Sequence, residues 1–163
     1  MSISKLFLQS AIKRLGYYKD LGDKTIAQLS NPEFHFQPNS ESNTMAIIIQ
    51  HMAGNMLSRW TDFLTTDGEK EWRNRDGEFE DQGLDKDELV ELWNTGWDCL
   101  FNTLKGLHEE DLLATISIRA EELTVVDAIN RQLAHYPYHV GQMIYLGKMI
   151  RDSGWVNLSM PKR

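Results

Sequence analysis

Residues 44–64 are apolar on nearly every side of a helix. Met45, Ala46, Ile47, Ile48, Ile49, Met52, Ala53 and Met56 leave little room for a solvated face in the first half of this segment. A helix of that kind is stable only inside a shell of other elements. Three further helical segments supply the shell. Residues 3–29 carry Ile3, Leu6, Phe7, Leu15, Tyr18, Leu21, Ile26 and Leu29 at three- and four-residue spacings, an apolar stripe on one face. Residues 85–107 open on Asp85 with Glu88 three positions on, in the manner of a capping box, and turn Leu89, Leu92, Trp93, Gly96, Leu100, Leu104 and Leu107 inward. Residues 124–151 open on Thr124 with Asp127 three positions on, and end before Ser153-Gly154. The expected fold class is all-α: a four-helix bundle with long crossover connections, one domain over residues 1–163.

The connections follow from punctuation. Pro32 ends the first segment, residues 34–42 read as a loop, and Asn43 or Ser42 is expected to cap the second helix. Residues 65–83 are polar, dense in both charges and without period, so they form an irregular crossover, with Trp72 and Phe79 expected to pin it to the domain. Residues 114–120 alternate apolar and polar, which suits a short extended hairpin before the last helix.

The net charge of −7, with Lys162-Arg163 as the sole basic cluster, argues against nucleic acid or anionic lipid as partners. No window reaches 18 uninterrupted apolar residues, so no membrane span is expected. Gln9, Ser10, Lys13 and Arg14 interrupt the N-terminal apolar residues, which gives no expectation of a signal peptide. One cysteine, Cys99, excludes an intramolecular disulfide and suits a reducing, cytoplasmic location. It reads as an inert thiol at the edge of the third helix's stripe.

Chemistry concentrates on histidine. His135 and His139 stand four residues apart on the last helix and project from one face, while His51 lies on the apolar second helix. Three neutral imidazoles from two helices bind a metal and leave positions open for water or substrate. Tyr136 occupies the position where the helical zinc-protease signature requires glutamate, so that chemistry is excluded. With five histidines, a pair at this spacing arises by chance in roughly one such chain in eight. Spacing alone therefore leaves satisfied core histidines as an equal alternative. His35 and His108 fall in polar connections and read as solvated.

The run TVVDAINRQLAHYPYHVGQMIYLGK over residues 124–148, with IQHMAGN over residues 49–55, resembles the DinB-like superfamily of small metal-binding helical bundles. That superfamily includes bacillithiol transferases and mycothiol-dependent isomerases. The resemblance implies His51, His135 and His139 as metal ligands, a homodimer, and a low-molecular-weight thiol as a further cofactor. Pro137, between the two helical ligands, is a departure that removes one helical hydrogen bond, and a kink that re-aims the histidines is its expected effect.

Imidazole ligands suit zinc, nickel, iron and copper alike, with zinc or nickel placed first. The leading expectation is an enzyme in which the ion activates a thiol for transfer to an electrophilic small molecule. A metal-dependent hydrolase activating water and a non-enzymatic metal- or ligand-binding bundle are the alternatives. Asn55, Arg131, Trp72 and Arg75 are the candidates for holding the substrate. The five tryptophans and seven methionines offer apolar surface for a dimer interface.

Overall fold

Each main helix begins where a side-chain oxygen satisfies an otherwise orphaned backbone N–H. In the computed structural model, which describes residues 2–159, Ser2 accepts from the Lys5 amide at the start of α1 (Ile3–Ile26). Thr44 accepts from the Ile47 amide at the start of α2 (Met45–Trp60). Asp85 and Glu88 form a reciprocal capping box on α3 (Lys86–Gly106), and Thr124 caps α4 (Val125–Arg151). The fold is the expected all-α bundle with one two-stranded antiparallel hairpin, β1 (Thr115–Ile118) and β2 (Glu121–Thr124). The Lys162-Arg163 pair lies outside the described residues. Among those described, no helix is long and apolar enough to cross a membrane.

Three boundaries differ from the sequence expectation. The first helix ends at Ile26, and residues 31–35 form a 3-10 turn in place of a loop. Pro32 is tolerated there because an initial turn has no use for its missing N–H, and Phe34 is driven fully into the core. Thr44, not Asn43 or Ser42, is the cap of α2. That helix stops at Trp60, short of residue 64, because Asp62 adopts a positive φ of 49° and its carbonyl collects the amides of Thr65 and Thr66.

α2 packs mainly on α3, and α1 on α4. Gly96 makes the first contact possible, since a Cβ there would stand 3.0 Å from the Ala53 Cα. Trp60, Trp93, Trp97 and Tyr136 are almost wholly buried between the helices, each worth roughly 1.5–3 kcal/mol or more by apolar burial. Their polar atoms are mostly used. The Trp60 indole donates to Tyr136 Oη at 3.0 Å, and that hydroxyl donates to Asn55 Oδ1 at 3.0 Å. Three of the five tryptophans, and Met45, Met52, Met56 and Met143, are thereby spent on the core and not on an exposed face.

Residues 61–85 cross between α2 and α3 as ordered but largely irregular chain. Trp72 does not pin this segment: the residue is 60% exposed. Ionic anchors hold it instead. Asp67 accepts from the amides of Glu69, Arg119 and Ala120 and from the Ser117 hydroxyl, tying the crossover to the hairpin. Arg73, with its side chain almost completely buried, is clasped by Glu69 and Glu78.

Candidate metal centre

His51 on α2 and His135 and His139 on α4 converge so that one ligand nitrogen from each lies within 4.8 Å of the others. His51 and His139 are buried and His135 is half-buried. Pro137 lacks the N–H that would bond the Leu133 carbonyl, yet α4 runs through it as one helix and both imidazoles stay on the same face.

A second ring of side chains fixes the imidazoles. His51 Nδ1–H donates to Glu78 Oε2 at 3.0 Å, His135 Nδ1–H to Gln132 Oε1 at 3.2 Å, and His139 Nδ1–H to Gln142 Oε1 at 2.9 Å. The Glu78 carboxylate can only accept, which sets the His51 proton on Nδ1 and leaves its Nε2 bare, and with Gln132 Oε1 and Gln142 Oε1 accepting in the same way the two α4 rings offer Nε2 to a metal. The consequence is sharpest between the two α4 histidines, whose Nε2 atoms lie 3.1 Å apart. At that separation something positive must lie between the two nitrogens, either a proton carried by one ring in the metal-free fold or a cation shared by both lone pairs. Tetrahedral ligation at about 2.1 Å sets nitrogens about 3.4 Å apart, so the two α4 nitrogens already stand at a ligating separation and the widest pair closes by at most about 1.4 Å. The donor set fits a metal.

Burial keeps the two α4 rings neutral. Burial, followed by the charges of His139 and His51, lowers the His135 pKa to about 3. Burial, followed by His51, lowers that of His139 to about 4, against the opposing bond to Gln142. Glu78 is buried, which alone raises a carboxyl pKa, but hydrogen bonds from Arg73 and His51 outweigh it and hold the group below its usual range. Arg73 grips both oxygens of Glu78, Nε to Oε1 at 2.7 Å and Nη2 to Oε2 at 2.8 Å. Gly54 makes room for this carboxylate: a Cβ at that position would overlap Glu78 Oε1.

The histidines open into a cavity of about 320 Å³ with Phe79 and Tyr138 among its walls. Arg75 and Arg131 line it, as does Asn55, although the Asn55 carbonyl oxygen is already engaged by Tyr136. Trp72, the fourth residue proposed from sequence, is not part of the lining. A larger groove of about 680 Å³ runs alongside α4 and meets this cavity at Asn43 and Tyr138, but contains none of the histidines. His108 is exposed as expected. His35 is only half-buried but not free, since its Nδ1 meets Asp81 Oδ2 at 2.6 Å. Cys99 is half-buried, 3.6 Å from the Thr61 hydroxyl and away from the cavity.

Sequence reasoning missed Glu78, Gln132 and Gln142. The two glutamines stand three residues from their histidines on the same helix, a spacing at which side chains meet. Glu78 had no such signal, because an aperiodic crossover brings it to His51.

A family model described as "Protein of unknown function (DUF1572)" matches residues 2–163. No curated protein and no solved structure matches the chain.

Proposed function

This chain belongs to the DUF1572 family, and we propose that it is a metal-dependent enzyme in which His51, His135 and His139 hold one divalent ion for thiol transfer to an electrophilic small molecule. The observation that carries the metal is the convergence of one nitrogen from each of three histidines, while the Nδ1 of every ring lies against a side-chain oxygen. When bound, an ion with three neutral ligands supplies Lewis acidity and a net positive charge that favours the anion of a thiol at neutral pH. Zinc and nickel are the first candidates on ligand chemistry.

The chain's own groups prepare the site. Glu78, Gln132 and Gln142 keep the Nδ1 protons in place and the rings aimed. Phe79 packs at a tilt against His51 with ring centroids 4.7 Å apart, and Tyr138 likewise against His139 at 4.1 Å, so aromatic rings flank two of the histidines. Support for the thiol comes from the likeness of the His135 to Gln142 block and of His51 to the DinB-like superfamily, to which DUF1572 itself is related. The same likeness supports a homodimer.

The test is to incubate metal-loaded protein with bacillithiol or glutathione and a chlorinated aromatic, beside metal-stripped and His139→Ala protein. Conjugation that requires the metal and His139 is expected. Metal-dependent ester or amide cleavage without thiol would replace transfer by hydrolysis. Neither activity, with metal bound, would make the protein a metal-binding bundle.

A further inference from the structure

Five of the eight arginines in this acidic chain, Arg59, Arg73, Arg75, Arg119 and Arg131, line the one cavity into which the three histidines open. The lining contains no aspartate or glutamate, although the chain has 24 of them. Two carboxylates lie behind the arginines and neutralise part of the charge. Glu69 contacts Arg59 at 3.0 Å, Arg73 at 3.3 Å and Arg119 at 3.1 Å, and Glu78 is taken by Arg73 and His51. Five cations against two anions leave a surplus of three before any metal is counted.

The surplus sits on the rim. Arg75 has only Asp76, 3.9 Å away and with its side chain 99% exposed, and it lies over the Phe79 ring at 5.4 Å. Arg131 makes no ion pair among the described residues. Arg119 is placed with effort: it and Ala120 form the hairpin turn at φ values of 57° and 61°, a left-handed conformation unfavourable for both, and Asp67 captures both amides. A turn built without glycine, and braced by a carboxylate, sets the Arg119 guanidinium at the cavity.

We propose that this cavity is built for a small dianion, its carboxylate or phosphate groups held by Arg75, Arg119 and Arg131 beside the metal. Planar guanidinium forks match the geometry and charge of either anion. This substrate class rests on the proposed metal-dependent reading, but the arginine rim is testable separately from it.

Metal-loaded and metal-stripped wild-type protein are titrated calorimetrically with succinate, methyl phosphate and the neutral succinamide, beside Arg75→Gln/Arg131→Gln, Arg131→Lys and Arg14→Gln proteins. Both anions should bind, with succinamide at least about tenfold weaker, and the tighter anion identifies the natural group. The double variant should lose at least about tenfold in anion affinity with unchanged circular dichroism and metal content. Arg131→Lys should lose less, and Arg14→Gln, on the outer face of α1, nothing. A double variant that binds the anions as well as wild type, or succinamide binding as tightly as succinate, would overturn the proposal. Arginine-dependent anion binding in a protein that takes up no metal would uphold the rim and remove the metal reading. A bound metal with arginine-independent anion affinity would do the reverse.

Discussion

Glu78 does for His51 what Gln132 and Gln142 do for His135 and His139, but it brings a full charge. Its hydrogen bond raises the basicity of the opposite ring nitrogen, so Glu78→Gln, which keeps an acceptor and the volume, should weaken zinc binding about 10–100-fold. Competition against a chromophoric chelator measures this, and an unchanged dissociation constant would show that Glu78 merely braces Arg73. Gly54→Ala should act in the same direction by displacing the carboxylate. The histidines also set a pH dependence. In the metal-free fold His135 and His139 stay neutral down to about 3 and about 4, whereas the unfolded chain protonates them near 6.5. Between those limits the unfolded state binds more protons, so stability falls as pH falls. Urea midpoints of metal-free protein should therefore drop from pH 7 to pH 5, and a flat or rising profile would contradict the burial of these rings. The three ligands were legible in the sequence because helical spacing and apolar context mark them. Glu78 was not, since its approach to His51 is a tertiary event.

The hairpin and the crossover are minor elements by length, yet together they carry Arg73, Arg75, Glu78, Phe79 and Arg119 to the site. Asp67 joins them. Its four hydrogen bonds outweigh the desolvation that would raise its pKa and hold the carboxyl far below its usual range. Asp67→Ala should cost about 1–3 kcal/mol in urea denaturation, and a change within about 0.5 kcal/mol would show the hairpin to be held elsewhere. It should also loosen Arg119 and weaken anion binding. The four helices were readable because apolar period marks all of them and the caps at Asp85 and Thr124 agree with it, although the α2 cap, expected at Asn43 or Ser42, falls at Thr44; the alternation at residues 114–120 marked the extended segment that becomes the first hairpin strand. The crossover was not readable, because ion pairs have no period. Trp72 illustrates the difference: bulk suggested an anchor, whereas the near-complete burial of Arg73 shows where the segment is held.

At the scale of the whole molecule, the bundle spends three of its five tryptophans and four of its seven methionines in the core and leaves Tyr138, Tyr145 and Met149 exposed along α4. That edge is the apolar surface α4 offers to the proposed homodimer, and sedimentation at micromolar concentration should show a dimer; monomer alone would contradict it. Everything proposed about chemistry depends on one property, that three Nε2 lone pairs from α2 and α4 share a divalent cation. Elemental analysis of protein purified without chelator tests it most directly. Wild-type protein should carry close to one divalent ion per chain, and His51→Ala and His139→Ala proteins, still helical by circular dichroism, should carry almost none; full occupancy in both variants would contradict it.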